Sequence, residues 1–107
     1  MECGMTRFLM MLAIAVVATP AAASMGKIGD FVGIYECPNG PSFELTEDTY
    51  TLTGMAPEKI SNKLAVEKGI IFTLSDGYRF GVWKTGKTEY EWASGESGDA
   101  FTCKKVN

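Results

Sequence analysis

The chain has 107 residues, with ten Lys plus Arg against thirteen Asp plus Glu, three cysteines and no histidine, for a net charge of −3. This balance lacks the basic footprint of a nucleic-acid binder. The absence of histidine excludes Ser-His-Asp and Cys-His catalysis, and the two cysteines Cys37 and Cys103 cannot close a zinc shell, so no metal or cofactor is expected.

The first predicted element is an export signal. Arg7 precedes an apolar run from Phe8 to Ala18, followed by Pro20 and Ala21-Ala22-Ala23-Ser24, which is the order of a secretory signal peptide. The run is about eleven residues, short of the roughly 20 that a membrane-spanning helix needs, so no membrane span is expected. Ala21 and Ala23 satisfy the small-residue rule and predict cleavage before Ser24, with cleavage before Met25 as the alternative. Met5 is a second candidate start. Cys3 precedes the apolar run, whereas a lipid-modified cysteine follows it, so the expected product is a soluble periplasmic or secreted protein. The predicted organisation is a signal peptide over 1–23 and one domain over 24–107.

That domain retains nine Lys plus Arg and twelve Asp plus Glu, an acidic balance that suits a basic protein partner as well as plain solubility. A chain this short buries only about 60% of its unfolded surface and gains from an added constraint. Cys37 and Cys103, 66 residues apart, supply one as a disulfide. Closing that loop disfavours the unfolded chain by about 4 kcal/mol in the chain-entropy model, and export provides the oxidising compartment the bond needs.

From Phe31 onward, Gly, Asp and Asn punctuate the chain at short intervals, and apolar residues recur between them with a period of two, which is the pattern of β-strands. The first strand is predicted over about Asp30 to Cys37, with Phe31, Gly33, Tyr35 and Cys37 on one face. Asn39-Gly40-Pro41 turns the chain into a hairpin built from Phe43 and Leu45, then Tyr50 and Leu52, around Glu47-Asp48. Ala56-Pro57-Glu58 opens a loop or short helix to about Asn62, with Ile60 and Leu64 on one helical face, and a strand carrying Leu64 and Val66 follows.

Three pairs then fall at hairpin positions, Lys68-Gly69, Asp76-Gly77 and Thr85-Gly86, where two-residue turns favour glycine because positive φ is required. They separate strands marked by Ile70, Phe72 and Leu74, by Tyr78, Phe80 and Val82, and by Tyr90 and Trp92. Phe101 and Cys103 follow the turn at Gly95 to Gly98. About eight antiparallel strands in so short a chain predict an all-β fold, a small barrel or a two-layer sandwich. A disulfide between the first and last strands argues for closure. The predicted interior is Phe31, Tyr35, Phe43, Leu45, Leu52, Phe72, Phe80, Trp92 and Phe101.

Candidate functional residues are few. Glu89 and Glu91 share a strand face near 7 Å apart, a spacing that follows from the strand repeat and overlaps that of an inverting glycosidase pair. Alternation with Tyr90 and Trp92 reads more simply as the solvated face of a strand, as does the terminal pair Lys104 and Lys105. The Asp76 to Lys87 stretch is more suggestive. If Tyr78, Phe80 and Val82 point inward, Arg79 and Trp83 point outward with Gly81 between them, and Trp and Arg are the residue types most enriched at binding hot spots. The plainer alternative has Trp83 covering a sheet edge or packing under the Met55 to Asn62 segment. Lys84 and Lys87 place two cations on the adjoining turn.

Tyr35-Glu36-Cys37, the late Cys103, Ser75-Asp76-Gly77-Tyr78 and Trp83-Lys84-Thr85-Gly86 together resemble the bacterial inhibitors of c-type lysozyme, which occur in membrane-anchored and periplasmic forms. In that family a Ser-Gly motif with a following Tyr and a later Trp-x-Lys-Gly-like motif sit on loops that enter the lysozyme cleft. Here Asp76 separates Ser75 from Gly77, and Thr85 separates Lys84 from Gly86. The resemblance implies a small eight-stranded barrel, hydrogen bonds from Ser75 and Tyr78, and a cation from Lys84 or Lys87 beside the enzyme's catalytic carboxylates.

The expected function is thus a non-enzymatic, secreted or periplasmic binding protein, an inhibitor of a basic hydrolase such as c-type lysozyme. Its partner-binding residues are Ser75, Tyr78, Arg79, Trp83, Lys84 and Lys87. An envelope-associated interaction module is the alternative, and a small-ligand site around Tyr78 and Trp92 is a third reading that requires a cavity there.

Overall fold

The computed structural model describes residues 25–107, so the predicted signal peptide over 1–23, the predicted cleavage site before Ser24 and Cys3 lie outside the described residues. Eight antiparallel strands follow one another around a closed barrel: β1 (Gly33–Glu36), β2 (Phe43–Leu45), β3 (Thr49–Leu52), β4 (Glu58–Val66), β5 (Gly69–Leu74), β6 (Arg79–Lys84), β7 (Glu89–Ser94) and β8 (Ala100–Lys105). Closure is made by β1 and β8, which pair Tyr35 with Lys105 and Glu36 with Lys104. Cys37 and Cys103 continue that register and are joined by a disulfide, so the bond extends the ladder that closes the barrel.

Alternation places one side-chain set inside. Tyr35, Phe43, Leu45, Tyr50, Phe72, Phe80, Val82, Tyr90 and Trp92 are buried, while Leu52 and Phe101 pack against this core half-buried. The rings stack in sequence, Tyr35 on Phe43 at 4.6 Å and Phe72 on Phe80 at 5.1 Å between centroids, so the interior is largely filled by aromatic side chains.

The N-terminal approach differs from the expected strand. Residues before Gly33 form a single helical turn, α1 (Ile28–Phe31), with Val32 N–H donating to the Ile28 carbonyl at 3.1 Å. The physical reason is that an apolar barrel end needs a plug. Phe31 is 2% exposed and meets Tyr90 edge-on at 5.5 Å, and the Tyr35 and Tyr90 hydroxyls donate to the Phe31 and Asp30 carbonyls at 2.6 and 3.0 Å. Two backbone acceptors left free by so short a helix are thereby satisfied.

The middle segment also differs, because no helix forms and strand pairing begins at Glu58. A register shift between Ile60 and Asn62 marks a β-bulge, with the Ser61 hydroxyl donating to the Thr73 and Leu74 carbonyls. Ile60 and Leu64 are four apart and in a regular strand would share a face. The extra residue sends Ile60 inward and leaves Leu64 outside, 56% exposed, as a bulge does.

Consecutive hairpins of such a meander alternate between the two ends of the barrel. The turns β2–β3, β4–β5 and β6–β7 lie at the end plugged by α1. The loops β1–β2, β3–β4, β5–β6 and β7–β8 gather at the other, called here the distal end.

Candidate functional site

Strand β6 presents Phe80 and Val82 to the core and Arg79, Gly81 and Trp83 to the outside. Trp83 neither covers a sheet edge nor packs under residues 55–62. Its indole lies on the outer face of the sheet, over two glycines, half-exposed. A Cβ built on Gly69, its cross-strand partner, or on Gly81, two residues back on its own strand, would collide with the ring. Both glycines are buried beneath it, so the two missing side chains make a flat seat for the indole.

Three lysines lie at this end of the barrel, two of them in one groove with the ring. Lys84 ends β6, Lys87 lies on the following turn, and Lys68 comes from the neighbouring β4–β5 turn, all exposed. Lys84 N–H donates to the Lys68 carbonyl at 2.8 Å and ties the two turns, Thr85 N–H donates to the Glu89 carbonyl at 2.9 Å and closes the β6–β7 turn, and Lys105 N–H donates to the Thr88 carbonyl at 2.9 Å. A groove of about 690 Å³ runs between Trp83, Lys68 and Lys84, with Glu67, Glu91 and Ala93 on its walls. Lys84 and Lys87 also flank a depression beside Asp30 of α1. The structure thus brings Trp83 and Lys84 together, adds Lys68, whose place in a turn signal hid it, and sets Lys87 beside the two lysines in the neighbouring depression.

The remaining expected residues lie elsewhere. Ser75 and Tyr78 belong to the β5–β6 loop and Arg79 opens β6, at the distal end, separated from Lys84 by five residues of strand, about 17 Å at the ordinary rise. One strand cannot bring both of its ends to the same rim, so the six residues do not form one surface. The Tyr78 hydroxyl donates to Ser94 Oγ at 2.8 Å, and that oxygen also accepts from the Glu96 and Ser97 N–H groups at 3.1 Å. Tyr78 is therefore a fixed wall of the distal end. Ser75 is exposed, and its N–H donates to the Lys59 carbonyl.

The outer face holds a second feature that alternation alone did not disclose. Leu64, Ile71, Gly81, Ala93 and Ala100 are aligned across five strands by the pairing register, an apolar ladder beneath and beside Trp83. The signal lay in Leu64, but the bulge that turns it outward is not visible in residue types.

Glu89 and Glu91 are exposed on the outer face of β7, opposite Lys104 and Thr102. Among the described residues, no group of three His, Cys, Asp or Glu side chains could hold a metal ion, and no helix is long and apolar enough to cross a membrane. At the distal end a cavity of about 370 Å³ opens between Tyr78 and Trp92. No family model matches the chain, and no curated protein or solved structure shows significant similarity to it.

Proposed function

We propose that the chain is an exported, non-enzymatic binding protein that inhibits a basic hydrolase, c-type lysozyme being the enzyme implied by the sequence resemblance. The observation that carries this reading is the half-exposed Trp83, seated on Gly69 and Gly81 in one groove with Lys68 and Lys84, with Lys87 next to Lys84 on the adjoining turn. A rigid, half-exposed Trp is the residue type most enriched at interface hot spots, and the lysines beside it supply charge that steers association with a carboxylate-bearing cleft. Backbone hydrogen bonds fix the two turns that carry the lysines, so little loop ordering is left to be lost on docking.

In this proposal the β6–β7 turn enters the enzyme's cleft. Lys84 or Lys87 meets the catalytic carboxylates, and Trp83 covers apolar surface at the cleft's edge. The chain's net charge of −3 draws it toward a basic enzyme, and the attraction weakens with salt as the Debye length shortens from about 30 Å at 0.01 M to about 10 Å at 0.1 M.

Because the Ser75 and Lys84 ends of β6 face opposite ways, the two halves of the resemblance can be separated by substitution. Purified protein at micromolar concentration should slow lysis of bacterial cell walls by c-type lysozyme. K84A/K87A should weaken inhibition by roughly 30-fold or more, the loss of a hot spot of about 2 kcal/mol, with S75A close to wild type. No slowing at low salt rejects lysozyme as the target. Preferential capture of an envelope component from a cell extract supports the interaction-module alternative instead.

A further inference from the structure

The cavity at the distal end has a composition of its own. Its walls are the rings of Tyr50, Tyr78 and Trp92 with Leu74 beside them, and Glu58 and Asp76 stand at its mouth. Glu58 pairs with Tyr50 across β3 and β4, so it lies on the inward-facing side of its strand. Asp76 is fixed by accepting the Tyr78 N–H at 2.9 Å. All three rings pack on Phe80, with centroids 4.3, 6.3 and 6.1 Å away for Tyr50, Tyr78 and Trp92. The Ser94 hydrogen bond pins Tyr78. The cup is therefore rigid before any ligand arrives.

Among the described residues, no lysine or arginine lines it. Ring faces carry the negative part of the aromatic quadrupole and attract cations, and the two carboxylates act in the same sense. An anion would meet Glu58 and Asp76 directly. A neutral apolar ligand would strip water from both carboxylates with no compensating charge.

We propose that the distal cup is a binding site for an organic cation, an alkylammonium or guanidinium group on a short apolar stem. Its head sits between the half-exposed Tyr78 ring and the two carboxylates, and its stem lies against Leu74 and the buried edges of Tyr50 and Trp92. The site is at the opposite end of the barrel from Trp83, Lys84 and Lys87 and does not depend on the inhibitor reading. The same head group is offered by a free amine and by a lysine or arginine side chain of another protein.

The test is a titration of the ¹⁵N-labelled protein with tetramethylammonium, butylammonium and butylguanidinium, and separately with Nα-acetyl-lysine amide and Nα-acetyl-arginine amide. Butanol serves as the neutral control. Saturable shifts are expected at the Trp92 indole and the Tyr78 amide in the millimolar range, with the Trp83 indole unmoved.

E58Q and D76N should each weaken binding by about two- to fivefold, and the D76N side chain retains a carbonyl oxygen to accept the Tyr78 N–H. Tighter binding of the blocked amino acids assigns the cup to a protein side chain, and tighter binding of the free amines assigns it to a small molecule. Absence of a saturable shift, equal binding of butanol, or indifference to both carboxylate substitutions overturns the proposal.

Discussion

Trp83 lies across the backbone of Gly81, two residues earlier on the same outward face of β6, and any Cβ at Gly81 would enter the indole ring. The seat is completed by Gly69, where the collision comes from the five-membered end of the indole and from the Val82 carbonyl at 2.7 Å. Gly81→Val should therefore expel the indole into solvent. In a Trp92→Phe background, the emission of Trp83 should shift to the red, and urea denaturation should show a loss of about 1–3 kcal/mol, the range for overpacking. Unchanged emission would mean that the indole does not rest on this glycine.

The three turn glycines test what the sequence did and did not disclose. All three Xaa-Gly pairs mark real hairpins, yet only Gly77 has positive φ, at 93°, and it sits in a four-residue loop from Ser75 to Tyr78. At the β4–β5 turn the positive φ of 61° belongs to Lys68, and Gly69 is already strand, kept small by Trp83. A Cβ at Gly86 would meet nothing closer than Glu89 at 3.4 Å. Gly77→Ala should cost about 1–2 kcal/mol through backbone strain, Gly86→Ala close to nothing, and Gly69→Ala should disturb Trp83. Equal effects at Gly77 and Gly86 in thermal melts would refute this division.

The same contrast explains the rest of the comparison between sequence and structure. Strand number, faces and closure were legible because alternation and a cysteine pair at the two ends of the domain are local or topological signals. The α1 turn was not, since Phe31 satisfies a strand pattern equally well and only the open barrel end makes it a plug. The bulge at Ser61 was hidden for a related reason, because its effect is to break the alternation by which strands are read. The separation of Ser75 from Lys84 was available in principle, as both flank one strand. The seat under Trp83 required knowing which glycine lies across the neighbouring strand.

The disulfide gives a prediction that combines register with chain entropy. Cys37 and Cys103 close a loop of 66 residues between the first and last strands, and β1 and β8 share only two bridge pairs beyond it. C37S/C103S should lose about 4 kcal/mol in urea denaturation. Amide exchange should quicken first in β1 and β8, where the ladder is short, and last in β5 and β6, which pair over five positions. Fastest exchange in β5 and β6 would contradict the idea that the bond holds the seam.

Alkaline unfolding should report the buried phenols. Burial raises the Tyr35 pKa far above the ordinary value, with Tyr90 adding to the effect. Tyr50 is raised mainly by burial, against a lowering by the neighbouring Trp92 and a further rise from Tyr78. Tyr90 is raised by burial and then by Asp30. The folded protein thus keeps protons that the unfolded chain releases near pH 10. Below that pH the contribution to stability is fully present. Above it stability should fall, at up to about 1.4 kcal/mol per pH unit for each tyrosine. Tyr35→Phe separates this titration from packing. At neutral pH it leaves the buried Phe31 carbonyl without the hydroxyl that donates to it at 2.6 Å, a loss of about 1–3 kcal/mol. Between pH 10 and 11 its stability should decline less steeply than that of the wild type, because one titrating group is gone. Urea midpoints measured from pH 7 to 11 give both readings, and an equal alkaline slope in the two proteins would show that Tyr35 contributes nothing to it.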